Sequence, residues 1–268
     1  MKADLHIHST FSDGSDGIDK IISMGMDKGL DLIAITDHDT LEHSIISPPC
    51  DGMRVIMGIE ISAFSNKSNA KAHVLGYGVA KPQIVTDLTR PILERRNRNS
   101  EKQADILIRL GYRIEMEKLK RAGGKFLYKQ HIMDWLVTTG QVPDMYGEFY
   151  YSTFKNGGAC DFSIDYVDAI EAVSAIKEAG GFAVLAHPGQ QKNYSLIADL
   201  ASVGLDGLEV NHRANNDEDM EIIRDFAGRY RLFLTGGSDY HGKYASRPIN
   251  LGDILADESG VNAIIKAI

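Results

Sequence analysis

Seven short apolar runs leave this chain little choice of fold class. They fall at residues 3–7, 32–35, 55–61, 72–77, 182–186, 207–210 and 232–235. Each has strand length, and most are rich in Val, Ile or Leu. Helical patterns lie between several of them, at 17–28, 165–178, 194–203 and 216–230. Strands alternating with helices predict an α/β fold on a parallel sheet, open or closed into a barrel, with functional residues at the strand C-terminal ends. At 268 residues the chain is long enough to bury a large core without staples.

One stretch breaks the alternation. Residues 80–159 show helical patterns at 90–110 and 129–139, breaks at Gly123-Gly124 and Gly140, and no convincing strand. This predicts a small helical insertion domain, 80–159, set into a main domain formed by 1–79 and 160–268. Trp135 and Leu136 are expected to pack inside it. The net charge is −8, which argues against nucleic-acid binding by global charge. Residues 90–130 run the other way, with twelve Lys/Arg against five Asp/Glu. Arg95, Arg98, Lys102 and Arg109 could share one helix face, either as a solvated basic surface or as a lid drawing polyanions toward a site.

Two cysteines, Cys50 and Cys160, are too few for a disulfide framework and suit a reducing compartment. The opening MKADLHIHST has no apolar h-region, and no run of about 18 apolar residues occurs. The expectation is a cytoplasmic protein with no membrane association, and nothing in the sequence implies an obligate protein partner.

The chemistry-bearing residues follow a pattern. His6-x-His8 ends the first strand, and i, i+2 positions on a strand face one side. Asp239-x-His241 repeats that arrangement after the last strand. Thr36-Asp37-His38-Asp39 follows the second strand, Glu60 sits in Gly58-Ile59-Glu60-Ile61, His73 opens HVLGY, and His187 ends the run FAVLA. Asp13 lies just past His8, in a Ser-Asp-Gly doublet that leaves Asp16 as a competitor. A lone histidine at a strand end is ordinarily a satisfied structural residue. Seven strand ends carrying His, Asp or Glu are different, because burying so many ionisable groups unpaired would be prohibitive. A multinuclear metal site resolves the problem. Mixed imidazole and carboxylate donors suit Mn²⁺, Zn²⁺ or Fe²⁺ better than Ca²⁺.

The segments DLHIHSTFSDG, ITDHDT, GIEIS, HVLGY, LAHPG and GGSDYHG run in order from residue 4 to 242, nearly the whole chain. Together they resemble the PHP (polymerase and histidinol phosphatase) superfamily, with the likeness greatest to the 3′,5′-nucleotide bisphosphate phosphatase and 5′–3′ exonuclease branch. The resemblance implies a distorted (β/α)7, TIM-like barrel of the PHP type holding three divalent metal ions. It assigns His6, His8, Glu60 and Asp239 to the first ion, bridging Glu60 with His73 and His187 to the second, and Asp13, His38 and His241 to the third. It implies hydrolysis of nucleotide phosphate monoesters or of oligonucleotide 5′ ends by a metal-bridging hydroxide held by Glu60.

Asp37, His212 and Arg213 are candidate supporting groups, Asp37 as a carboxylate orienting an imidazole. Arg95, Arg98, Lys129, His131, His212 and Arg213 are candidate substrate-binding residues. The related enzymes usually carry Arg-Pro before the histidine of the insertion, where this chain has Lys129-Gln130. Lysine keeps the charge but loses bidentate phosphate geometry. His43 is expected to be solvated. The expected partner is a phosphorylated small molecule or a short oligonucleotide. Histidinol phosphate remains an alternative substrate, and a non-catalytic metal-binding regulatory module an alternative of another class.

Overall fold

The structure, a computed structural model, describes residues 1–45, 52–122 and 124–266. Cys50 and Gly123 lie outside the described residues. The elements run β1 (Ala3–Ile7), α1 (Ile18–Asp27), β2 (Leu32–Ile35), β3 (Arg54–Met57), β4 (Ile59–Ser65) and β5 (Ala70–Tyr77). Four helices follow: α2 (Pro82–Arg109), α3 (Met116–Ala122), α4 (Lys129–Thr138) and α5 (Glu148–Phe154). The chain then returns through β6 (Val167–Asp168), α6 (Ala169–Glu178), β7 (Phe182–Leu185), α7 (Pro188–Gln191) and α8 (Ile197–Ser202). It ends with β8 (Gly207–Asn211), α9 (Asp217–Tyr230), β9 (Phe233–Gly236) and α10 (Glu258–Ile265).

The strands form two sheets. One is the parallel set β1-β2-β3; the other has the order β6-β4-β5-β7-β8-β9. Isolated parallel bridges at Ile7–Tyr240 and His38–Glu60 stitch the two together. The expectation of a parallel sheet fails at β5, which runs antiparallel to both β4 and β7. The cause is local. Residues 66–69 turn the chain between β4 and β5, with Asn69 in the left-handed region at φ 48°, a conformation Asn tolerates better than most residues. The run 55–61 is also not one strand but two, in different sheets. It breaks at Gly58, where a Cβ would stand 2.7 Å from the Gly76 carbonyl oxygen. The fold is thus α/β with mixed sheets.

Helices cover the sheets through apolar stripes at helical spacing. Ile18, Ile21 and Ile22 of α1 are buried against Ile7, Ile33 and Ile35, each contributing about 1.5–3 kcal/mol. Ala169, Ala172, Val173 and Ile176 of α6 pack on β4, β5 and β7. Asp168 caps α6 by accepting the Ile170 N–H, and Asn216 caps α9 by accepting the Asp219 N–H. Helices α2 to α5 share an apolar cluster of their own, which includes Leu107, Leu136 and the free thiol Cys160, with Trp135 packed against it. Among the described residues, no helix is long and apolar enough to cross a membrane.

Candidate metal centre

The sheets bring five imidazoles around one carboxylate. Glu60 Oε2 lies 3.2 Å from His6 Nε2, 3.1 Å from His8 Nε2 and 3.1 Å from His38 Nδ1. Its other oxygen, Oε1, lies 2.7 Å from His73 Nδ1 and 3.0 Å from His187 Nε2. Glu60 thereby divides the histidines into two sets. It stands at the start of β4 rather than at a strand end, because the His38–Glu60 bridge sets that start beside the end of β2. His73 is mid-strand, directly opposite Ser62 in the β4–β5 ladder.

Two more carboxylates flank this centre. Asp239 Oδ1 is 3.5 Å from His6 and 3.3 Å from His8. Asp13 Oδ1 is 3.3 Å from His241 Nε2, 3.8 Å from His8 and 4.0 Å from His38. Asp16 sits elsewhere, paired with Lys20 and with the Tyr240 hydroxyl. Burial alone would raise the Glu60 carboxyl, but His38, His73 and His6 outweigh it and hold the group well below the usual range. The same competition keeps Asp13 (with His241 and His38) and Asp239 (with His241 and His6) well below theirs. Burial likewise opposes the His8 charge, yet Asp239 and Glu60 draw it up to about 10.

Hydrogen bonds to the far side of several rings fix their tautomers. His6 Nδ1 faces Glu209 Oε1 at 3.0 Å and donates to it, so Nε2 is the ring atom turned toward Glu60 and Asp239. His241 Nδ1 donates to the Asp239 carbonyl, leaving its Nε2 toward Asp13. His212 is the reverse. Its Nδ1 accepts the Ala214 N–H, so Nε2 carries the proton, 3.4 Å from Asp239 Oδ2. In that state His212 meets the cluster as a donor and not as a ligand.

The donor set fits divalent ions. His6 Nε2, both His8 nitrogens, Asp13 Oδ1, His38 Nδ1 and His187 Nδ1 are buried without a hydrogen-bond partner among the described residues. Such orphaned groups are costly unless something else coordinates them. Four sets offer donor atoms within 4.8 Å of one another: His8/Asp13/His38/His241, His6/His8/Glu60, His38/Glu60/His73 and His6/His187/Glu209.

Backbone strain concentrates here too. Asp39, His187 and Asp239 have φ of 60°, 29° and 52°, a region that residues with a Cβ seldom occupy. Buried carboxylates hold the strained loops. Asp4 accepts the N–H and hydroxyl of Ser238, beside Asp239, as well as the Gly252 N–H. Glu209 Oε2 accepts the His187 N–H. Asp37 accepts the Ser9 N–H and the hydroxyls of Ser9 and Ser12. It does not orient the His38 ring as expected. Its imidazole neighbour is His43, which is fully buried rather than solvated. Sequence reasoning gave Glu209 no role in the centre. The available signal was an acidic residue inside the buried strand GLEVN.

The candidate substrate residues separate in space. Arg213 lines the cavity over the cluster, about 170 Å³, together with Gln130 and Tyr146. Lys129 lines a second cavity of about 470 Å³ with Lys71, Arg96 and Lys155. Gln130 borders both, and its side-chain amide donates to Asp13 Oδ2 at 2.9 Å. Arg95 and Arg98 line neither cavity. They pair with Asp165 and Glu94 at the surface, so a carboxylate meets two of the four residues of the basic face. The arginine that turns inward is Arg96, bound to Asp39 at 2.7 Å and lying over the Tyr128 ring. His131 also lines neither cavity; its Nδ1 accepts the Tyr128 N–H at the start of α4. Lys129 is pushed down to about 7, by burial first and then by Lys155 and Arg96.

A PHP domain family model matches residues 4–202. The chain belongs to the PHP domain family. As a PHP protein with this donor set, it is a metal-dependent phosphoesterase. Phosphoribosyl 1,2-cyclic phosphate 1,2-diphosphodiesterase of Eggerthella lenta is 42% identical over 254 residues, covering 92% of this chain and 97% of that one. A 3′,5′-nucleoside bisphosphate phosphatase of Chromobacterium violaceum is 29% identical over 252 residues, 89% of this chain and 86% of its own. Among solved structures, a Bifidobacterium adolescentis protein described as a candidate metal-dependent phosphoesterase superposes with a TM-score of 0.85. It is 26% identical and covers 99% of this chain and 96% of its own.

Proposed function

We propose that this PHP enzyme hydrolyses a phosphate ester on a phosphorylated ribose that carries a second phosphate group. The observation behind this reading is the pair of abutting cavities: one over the histidine cluster, the other lined by Lys71, Arg96, Lys129 and Lys155, with Gln130 between them. The reacting phosphate would sit by the cluster and the second among the lysines. The names of the Eggerthella lenta and Chromobacterium violaceum relatives each describe a ribosyl or nucleoside unit with two phosphates. The higher identity of the former favours a phosphoribosyl cyclic phosphate. A nucleoside 3′,5′-bisphosphate is the second reading. It is favoured by a neighbouring cavity that shares Lys71, Ile164 and Tyr166 and adds Phe64, which offers aromatic faces for a base.

In this reading His6, His8, Glu60 and Asp239 hold one divalent ion, Glu60, His73 and His187 a second, and Asp13, His38 and His241 a third. The two sheets are read as a distorted barrel closed by the bridges at Ile7–Tyr240 and His38–Glu60. Bound ions would supply a water acidic enough to ionise near neutral pH and would neutralise charge on the phosphate. The protein's own groups do the rest. Glu60 joins the two histidine sets, Arg213 reaches the phosphate oxygens from the cavity wall, and His212 offers its Nε2 proton beside Asp239.

The test is substrate consumption by Mn²⁺-loaded protein followed by ³¹P NMR, which reads ring opening of the cyclic diester as well as release of orthophosphate, comparing 5-phosphoribosyl 1,2-cyclic phosphate, adenosine 3′,5′-bisphosphate and histidinol phosphate at equal concentration. The doubly phosphorylated substrates should be preferred by at least about tenfold, equivalent to roughly 1.4 kcal/mol of extra transition-state binding. Preference for histidinol phosphate would overturn the reading and leave the lysine cavity without a purpose.

A further inference from the structure

His43 has no part in the chemistry above, yet it is fully buried directly behind the cluster. Its Nδ1 stands 3.2 Å from Asp37 Oδ2, and the Phe11 ring meets it edge-on at 6.0 Å. Asp37 is itself fully buried and reaches three places at once. Its Oδ1 accepts the Ser9 N–H at 2.8 Å and the Ser12 hydroxyl at 2.5 Å, and its Oδ2 accepts the Ser9 hydroxyl at 2.6 Å. Ser9 follows His8, Ser12 precedes Asp13, and Asp37 itself precedes His38. Three members of the His8/Asp13/His38/His241 set are therefore held, one residue away, by a single carboxylate. Among the described residues the His6/His187/Glu209 set shows no tie to Asp37, and Glu209 holds its two histidines instead.

A buried carboxylate with several hydrogen-bond acceptor sites needs donors on every side, or its orientation is lost. The serines supply them from the loop side; on the opposite side His43 stands at ion-pair distance from Oδ2, and neither of its ring nitrogens has a hydrogen-bond partner among the described residues. We infer that His43 is a positioning residue: through Asp37 it fixes the spacing of His8, Asp13 and His38, and so sets the affinity of the ion bound at Asp13. This rests on the reading that this set holds an ion. It adds a residue from outside the ligand motifs, within the segment Glu42–Ile45 that follows TDHDT.

The test is metal binding by the full chain, stripped of metal and titrated with Mn²⁺, with free Mn²⁺ followed by its EPR signal. Wild type should take up three ions. His43→Leu keeps roughly the volume and removes the imidazole facing Asp37; its weakest site should lose about 10- to 100-fold in affinity, the usual cost of removing a group that orients a ligand. The two tighter sites should hold within about threefold, and circular dichroism should be unchanged. His43→Asn places an amide donor near the Nδ1 position and should restore most of the loss. Should His43→Leu fail to fold, Ser12→Ala removes the opposite arm of the same clamp and should weaken the same site. Equal weakening of all sites, wild-type binding in His43→Leu, or no rescue by Asn would each overturn the inference. Wild type binding only two ions would instead overturn the three-ion reading, and this inference with it.

Discussion

The histidine cluster and the lysine cavity meet at Gln130, yet they handle charge in opposite ways. In the cluster, carboxylates and imidazoles interleave, so Asp13, Glu60 and Asp239 stay ionised although buried. In the lysine cavity four cations, Lys71, Arg96, Lys129 and Lys155, face a single carboxylate, Asp161. Arg96 is neutralised by Asp39, and Lys129 gives way instead, its ammonium pushed down to about 7. A mixed set of this kind could hold metal ions. A set in which cations predominate is relieved when an anion arrives. Chemistry is therefore assigned to the first region and substrate selection to the second.

The largest effect should come from breaking the cluster at its hub. Glu60→Gln removes the charge that both histidine sets share, and phosphate release should fall on the order of 10³-fold in kcat or more, measured with saturating Mn²⁺. Next is Glu209→Gln, which weakens the partner of His6 Nδ1 and of the His187 N–H. Metal affinity should drop about 10- to 100-fold, with activity recovering at high Mn²⁺. The lysine cavity should show itself in pH dependence. Lys129 is charged below about 7 and neutral above it in the free enzyme. For a doubly phosphorylated substrate, kcat/KM should therefore fall as pH rises through 7, by up to about tenfold, and Lys129→Arg should flatten that limb. The smallest effect belongs to Arg95→Ala and Arg98→Ala, whose exposed pairs with Asp165 and Glu94 contribute about 0–1 kcal/mol of stability. Activity should stay within about twofold, and a larger loss would return these arginines to substrate binding.

The same contrast explains what the sequence made legible. Each metal-site candidate sits in a short motif within or beside a strand, where alternation and spacing constrain the side chain's direction. Spacing alone puts His6 and His8 on one strand face, while placing Asp239 beside them needs the resemblance to the PHP superfamily. The split of residues 55–61 is hidden because Gly58 interrupts an apolar run without changing its pattern, and antiparallel β5 because pairing direction depends on the 66–69 turn. The lysine cavity is hidden for a different reason. Lys71, Arg96, Lys129 and Lys155 come from β5, α2, α4 and the end of α5, so no local spacing connects them. A helical face drawn through Arg95 and Arg98 misses Arg96 between them, which the insertion turns toward Asp39. The role of Asp37 escapes sequence reasoning because its partners Ser9 and Ser12 lie 28 and 25 residues back in the chain, and that of His43 because it acts only through Asp37.

The division of labour is tested most directly by steady-state kinetics of a Lys129→Ala/Lys155→Ala double variant, on a ribose ester with two phosphates and on one with a single phosphate. The expected result is a KM for the first raised about tenfold or more, with little change in kcat, and an unaltered kcat/KM for the second. Equal losses on both substrates would contradict the assignment of the lysine cavity to the second phosphate.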